Sequence, residues 1–533
     1  VVQSSGDSGA SGTFEISDTL PVIATGAVDN FRTVAMADGY SKYVSNNMAA
    51  LSSGGTAPTG KVVDLVGPGW YGSLVACAKG SGGCPPNYPV ESMRGTSESA
   101  PLTSGAAADV IQAYRDTHNG ASPTPAVIKQ IMTSTATDLD AAADQQGAGL
   151  LNIYRAVKAA QQMPGTTDTQ GPGDAPSLVA SPSQLDVTAR GGSTVRRPVT
   201  VYNTSDAATT VQARYRALGQ ARLMGKVVTE HVTAPKAGAS IPPEGATAAK
   251  TIHFRVPAGL DQLNTKMIWP DSTNTNRLSF QLFNPQGAFV QESYDDGVIS
   301  RNSIPNIQYA AVQDPHPGQW TAKILWGGVD QDLALPPITP GSYRGTMSFQ
   351  VTAQHYTTKR AAAPLLIPAH ARGTIPLRVT IPSKPGDYPE SVQLSAGNGA
   401  ATSVPLSRRS LIGSHGGTFT TSITSSVGRS VGQISTYQVD VPGNRQYLQV
   451  KFHTTDASPN NTYTFDLVDP SGTVAATATS PATNASGKNV GKASLYVNHP
   501  VAGQWTIEVQ LDLTTSGKEF TQAVHGRLTD PGR

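Results

Sequence analysis

Cysteine is nearly absent. The 533 residues contain two, Cys77 and Cys84, which flank a Gly-rich stretch over 78–83. A small disulfide loop is the expected arrangement, and it implies an oxidising compartment. A two-cysteine metal site is not expected, because no His or Asp lies between or beside them; a pair of free thiols is the remaining reading. Charge is also scarce, at 14% charged residues and a formal net charge of +2. There is no basic field for nucleic acid and no acidic tail. No apolar run reaches the length of a membrane span, and no signal peptide is present. The chain opens without Met, inside the apparent strand Val1-Val2-Gln3-Ser4-Ser5. Because a domain rarely starts in mid-strand, this reads as a break made by processing or gene truncation. There is no phosphate loop, dinucleotide fingerprint or zinc signature, so no cofactor or metal is expected. Asp295-Asp296 and Asp330 with Asp332 carry oxygen ligands of the kind calcium uses, but no twelve-residue loop accompanies them, and they read as solvated turns.

Gly (53) and Pro (39) are plentiful, a composition suited to turn-rich β domains and extracellular proteins. Residues 1–165 alternate strand-like and helix-like segments. Pro21 to Val28 and Lys61 to Val66 read as short buried strands. Pro101 to Arg115, Pro125 to Ser134 and Ala148 to Gln161 read as helices. The alternation predicts an α/β unit with a parallel sheet. A Pro/Gly/Thr/Asp-rich linker follows Met163, and the rest alternates at period two, an all-β signal. Three motifs recur there at one offset of 185 residues: Val256-Pro257 as Val441-Pro442, Asn284-Pro285-Gln286-Gly287 as Asp469-Pro470-Ser471-Gly472, and Gly318-Gln319-Trp320-Thr321 as Gly503-Gln504-Trp505-Thr506 (257 to 442, 285 to 470, 320 to 505). Equal offsets over separated motifs indicate duplication. The expected plan is a linker and Ig-like sandwich over 166–250, a jelly-roll-like sandwich over 251–360, an Ig-like sandwich over 361–435 and a jelly-roll-like sandwich over 436–533. Trp320 and Trp505 are expected as core plugs rather than sugar platforms.

The strongest chemical motif is Arg94-Gly95-Thr96-Ser97-Glu98-Ser99-Ala100-Pro101, which opens a helix with a small-residue face. A serine nucleophile benefits from a helix N-terminus, whose dipole and free N–H groups favour negative charge. Gly95 permits close approach of a substrate backbone. The bland alternative is an ordinary Ser N-cap. A second motif, Ser4-Ser5-Gly6-Asp7-Ser8-Gly9, ends the first strand.

In order along the chain, Gly6-Asp7, Thr25-Gly26-Ala27-Val28-Asp29, Asp64-Leu65-Val66-Gly67-Pro68-Gly69 and Gly95-Thr96-Ser97 resemble the subtilisin-like serine peptidases. Ser134-Thr135-Ala136-Thr137 and Gly147 to Asn152 resemble that family's closing segments. The resemblance spans roughly residues 1–160. It implies a partial subtilisin-like α/β fold followed by the β-sandwich domains, and it implies roles. Ser97 matches the nucleophile. Ser4, Ser5 and Gly6, with Gly95 and Thr96, match the walls that hold substrate. Asp7 falls on the oxyanion position, where the family commonly has Asn. The family's Asp and His would precede Val1, so the chain is expected to be inactive by itself unless the missing part of the catalytic domain binds it. His118, in Asp116-Thr117-His118-Asn119-Gly120, reads as a solvated helix end rather than a base.

An oxyanion hole needs a donor, and an ionised carboxylate has none. A free Asp titrates near ~3.9, so Asp7 implies protonation by burial or an acidic optimum. The acid-acting sedolisins are similar at this point: they share Ser-Gly-Asp-Ser-Gly and Gly-Thr-Ser-x-Ser-Ala-Pro, with Asp as the oxyanion residue. The expected function is a secreted serine endopeptidase acting on protein or peptide substrates, with no nucleic-acid partner. The rival is a non-catalytic cell-surface or polysaccharide-binding protein with a vestigial peptidase segment.

Overall fold

The computed structural model describes residues 1–7, 9, 21–30, 41–76, 90–165, 176–233, 249–269, 278–293, 307–326, 344–424, 434–454, 462–483, 486, 489–511 and 521–529. Cys77, Cys84, Ser8, Asp295, Asp296, Asp330 and Asp332 lie outside them.

The first unit is α/β. Strands Val2–Ser4, Ile23–Asp29 and Leu65–Ala76 run parallel, and Val90–Arg94 returns antiparallel beside the third. Every residue of Ile23–Asp29 is buried, as a central parallel strand covered on both faces requires. Helices Thr96–Thr117, Pro125–Thr135, Ala143–Gln146 and Ile153–Gln161 complete the unit. The first begins five residues before the predicted Pro101. Its opening N–H groups find partners outside the helix, Thr96 N on Asp7 and Glu98 N on the Gly95 carbonyl, so a proline further in does not set its start. The last helix begins at Ile153 rather than Ala148, with Asn152 Oδ1 accepting from Arg155 N. Residues Ala148 to Leu151 stay extended because Gly149, at φ +123, lies against the Thr137 backbone and Leu150 bridges both Val66 and Thr137.

The β region holds three sandwiches, and here strand pairing departs from the expected plan. Segments 176–250 and 361–435 do not form two separate Ig-like sandwiches. Strand Thr209–Leu218 pairs with Tyr356–Arg360 on one side and Gly386–Ala396 on the other. Leu185–Arg190 pairs in parallel with Ala401–Leu411, and Thr194–Asn203 pairs with Arg372–Thr380. One core draws on both segments, including Val187, Val199, Val211, Ile375, Leu377, Val392 and Leu406. Alternation specifies a strand's buried face but not its partner, and each segment by itself lacks the strands to cover that face.

The jelly-roll-like unit between these segments is therefore an insertion, to which Val228–Thr233 adds a strand. Its duplicate lies at the C-terminal end, with Gly417–Thr424 playing the same part. Both copies have the same strand order in both sheets. Strands Lys250–Val256, Gly318–Trp326 and Leu278–Phe283 correspond to Ile434–Val441, Gly503–Leu511 and Tyr463–Val468. The bulge between Leu282 and Phe283 recurs between Leu467 and Val468. Asn284 Oδ1 accepts from the N–H groups of Gln286 and Ala288, as Asp469 Oδ1 does from Ser471 and Thr473. Trp320 and Trp505 are core, 1% and 2% exposed. Each indole N–H donates to the carbonyl four residues earlier, His316 at 2.8 Å and Val501 at 2.9 Å.

Candidate active site

The Ser97 turn is assembled from three strand ends and one helix start. Gly69 lies where a Cβ would meet Ser99 Oγ at 2.6 Å and the Gly95 carbonyl at 2.7 Å, so only glycine fits there. Gly95 N donates to Gly69 O at 2.7 Å. Ser99 Oγ lies 2.9 Å from the carbonyl oxygens of both Gly67 and Pro68. These bonds clamp the helix start onto the strand Leu65–Ala76. Gly95 has φ +110, and a Cβ there would lie 2.6 Å from Asp7 Oδ2.

Asp7 is held by the residue before Ser97. Thr96 N and Thr96 Oγ1 both donate to Asp7 Oδ1, each at 2.7 Å. Thr96 Oγ1 in turn accepts from Gly6 N at 3.1 Å. Gly6, Asp7, Gly95 and Thr96, more than eighty residues apart in sequence, thus meet in one knot. Ser97 projects from it: its side chain is exposed, whereas Thr96, Glu98 and Ser99 are buried. Ser5 is buried beneath, with its N–H on the Thr25 carbonyl and its Oγ 3.4 Å from the Ser53 carbonyl. Ser4 ends the Val2–Ser4 strand and is partly exposed. An exposed hydroxyl at a helix N-terminus, beside a fixed carboxyl, can act as a nucleophile whose product anion is stabilised by the first helical N–H groups.

His118 is not a solvated helix end. It is 6% exposed and stacks on Tyr114 with ring centroids 3.7 Å apart. Its Nδ1 lies 2.8 Å from the Tyr114 carbonyl and its Nε2 lies 3.2 Å from the Met163 carbonyl. The stacking partner one helical turn earlier accounts for this burial. The other nine histidines lie at or beyond residue 231, in the sandwiches.

Two features carry no sequence signal. One is a buried ionic cluster at the other end of the sheet. Asp64 pairs with Lys61 at 3.2 Å and with Lys129 at 2.7 Å. Asp64 Oδ2 also accepts from Ala24 N at 2.8 Å, and both lysines donate to the Val22 carbonyl. Lys61 is 0% exposed. The cluster sets the start of one central strand against the next.

The other is the docking of the inserted sandwich onto the strands that lead to Ser97. Trp70 Nε1 donates to Glu292 Oε1 at 2.7 Å, and Gln291 Nε2 donates to Asp29 Oδ2 at 3.0 Å. Met48 N donates to Gln313 Oε1 at 2.8 Å. Ala27, Leu51 and Trp70 share a small core with Phe283 and Phe289, and the Arg94 guanidinium lies 5.6 Å from the Trp70 ring centroid. Burial pushes the Asp29 carboxyl well above the usual range, against the Asn46 and Asn47 backbone and the Gln291 amide, which favour its ionised form. Contacts across more than 200 residues leave no local pattern to read. No group of three or more metal-ligating side chains is present among the described residues, and none of their helices is long and apolar enough to cross a membrane.

Residues 1–155 match the model of the subtilase family of peptidases. No curated protein matches the chain. Among solved structures, the chain is similar to tripeptidyl peptidase 2, at 12% identity and a TM-score of 0.24, over 99% of this chain and 45% of that one. It is similar to the secreted serine protease VesC from Vibrio cholerae, at 7% identity and a TM-score of 0.19, over 67% of this chain and 51% of that one. It is also similar to a calcium-stabilised, ice-binding adhesin of an Antarctic bacterium, at 10% identity and a TM-score of 0.08, over 62% of this chain and 95% of that one. The chain thus spans about half the length of the two peptidases.

Proposed function

We propose that this chain, whose residues 1–155 match the subtilase family, is the nucleophile-bearing part of a secreted serine endopeptidase acting on protein or peptide substrates. The observation that carries this reading is the Thr96 lock, two hydrogen bonds that hold Asp7 against the turn bearing an exposed Ser97. Ser97 Oγ attacks the peptide carbonyl carbon and loses its proton to a base. The carbonyl oxygen becomes an oxyanion that accepts from the Ser97 backbone N–H, with Asp7 beside it at the position where the family commonly places an Asn donor. Thr96 fixes Asp7 Oδ1 through two donors, and Oδ2 lies beside the Gly95 position. Collapse of the intermediate expels the amine, which takes up the proton the base received from Ser97, and leaves an acyl ester on Ser97, which water hydrolyses to the acid and free Ser97. Ser4, Ser5 and Gly6, with Gly95, form the floor along which substrate backbone lies.

The base comes from outside this chain. His118 is committed to Tyr114 and Met163, and the remaining histidines belong to the sandwiches. The isolated chain accordingly retains only the residual catalysis that an oxyanion hole supplies. Secretion rests on the Gly- and Pro-rich, low-charge composition. The test is peptide hydrolysis by the full gene product. Ser97→Ala is expected to lower kcat by at least about a thousandfold. Unchanged hydrolysis in that variant would discard the assignment.

A further inference from the structure

The two jelly-roll-like copies share a fold but not a surface. In the first copy, the outer face of the sheet containing Gln262–Ile268 and Ile307–Gln313 faces the rest of the chain. Gln262, Asn264, Lys266 and Tyr309 line a half-open cleft of about 660 Å³ there, together with residues of the first sandwich and Ala142 to Gln145. In the second copy, the equivalent face is open to solvent among the described residues. Its composition differs in a way that burial does not explain. At the same offset of 185 residues, Gln262 is replaced by Tyr447 and Ala311 by Tyr496. The Tyr447 and Tyr496 rings lie near parallel, 17° apart with centroids 5.8 Å from each other, and Tyr496 is 49% exposed.

The strands of this open face carry cations and no acid. Its four strands, Gly417–Thr424, Tyr447–Thr454, Lys492–Asn498 and Thr521–Leu528, contain no Asp or Glu. Lys451 lies directly opposite Arg527, and His453 lies opposite both His525 and Lys492. Like charges placed directly across a sheet are destabilising unless an anion sits between them. Gln449, opposite Tyr496, Ser494, opposite Lys451, and Asn498, opposite Tyr447, share the face and offer amide and hydroxyl groups beside the rings and the cations.

We propose that this face binds an acidic polysaccharide. A sugar ring lies on Tyr447 and Tyr496, its hydroxyls meet Gln449, Ser494 and Asn498, and its carboxylate or sulfate groups neutralise Lys451, Arg527 and Lys492. Successive outward residues of a strand are roughly 6.8 Å apart, so Lys451 lies one such step from the row of Tyr496 and two from Tyr447, a span that two linked sugar units cover. The many neutral hydrogen-bonding groups favour a polyhydroxylated chain over a nucleic acid or an anionic lipid. The site is separate from the Ser97 turn and does not depend on its chemistry.

The experiment measures binding of the full chain to immobilised polygalacturonate, heparin, neutral dextran and single-stranded DNA. Binding to polygalacturonate or heparin, weakening with added salt and absent on dextran, is expected. Tyr496→Ala and Arg527→Gln should each weaken it by about tenfold. Lys266→Gln, in the cleft of the other copy, should leave it unchanged, as should Ser97→Ala. The proposal is overturned if neither acidic polysaccharide binds, if DNA binds as tightly and Tyr496→Ala has no effect on it, or if Lys266→Gln weakens binding as much as Arg527→Gln does.

Discussion

Asp64→Asn is the most demanding test of how the α/β unit is held. The substitution keeps the side-chain shape and removes one negative charge that two buried ammonium groups share. The pairs measure 3.2 Å and 2.7 Å. At an effective dielectric of about 20, each is worth roughly 5–6 kcal/mol before desolvation. Most of that offsets the cost of taking the ions out of water, but removing one partner leaves the others uncompensated, at about 3–5 kcal/mol. A domain's whole stability is roughly 5–15 kcal/mol, so the loss is a large share of it. Lys61 is fully buried and also donates to the Val22 carbonyl, so solvent cannot replace the carboxylate without opening the sheet. Hydrogen exchange read by mass spectrometry resolves this locally, which suits a chain of several cores that need not unfold in one step. Protection over Ile23–Asp29 should fall by at least about a hundredfold, while protection in the C-terminal sandwich should not change. A fall of less than about fivefold in Ile23–Asp29 would refute the reasoning, because it would mean that water or a shifted lysine satisfies the cluster.

Two further outcomes concern carboxyl groups. Asp7→Asn supplies a permanent donor at the oxyanion position. In the full gene product it should raise activity at neutral pH, by up to about a hundredfold, and move the pH–rate optimum upward; a profile that peaks above neutrality and keeps its form in the variant would discard the acid-donor role. Glu390 is buried in the first sandwich beside Arg408, at 3.0 Å, and burial pushes its carboxyl up to about 7 from an ordinary 4.5. The folded state then holds a proton that the unfolded state releases between those values. Its contribution to stability is complete below about 4.5 and is lost as pH rises through about 7, a change of up to about 3 kcal/mol. Glu390→Gln should flatten that part of the stability–pH curve measured by urea unfolding; an equal slope in both proteins would show that Glu390 does not titrate there.

The legibility of this chain divides along the range of the interactions. Local signals were enough for the Ser97 turn, because the requirement for glycine at 69 and 95 and for small residues after Ser97 is written into adjacent positions. The duplication was equally legible, since each copy repeats its own turn, bulge and Trp anchor at a constant offset. The fate of Trp320 and Trp505 followed from the same local geometry. His118 was misjudged because its burial depends on Tyr114 stacking and on Met163 arriving from a later segment.

What the sequence by itself determined was therefore the α/β-then-β order of the chain, the glycine turn that opens the Thr96–Thr117 helix and the repeated module, all set by hydrophobic period, turn chemistry and spacing. Only the tertiary structure decided which strands pair. It merged two segments into one sandwich around an insertion, placed that insertion against Trp70 and Asp29, brought Asp7 to Thr96, and, among the described residues, left one copy of the module with its outer face open and set the other's beside the first sandwich. The physical reason is that period-two alternation states which face of a strand is buried, whereas the partner across the sheet is chosen by the fit of surfaces hundreds of residues apart.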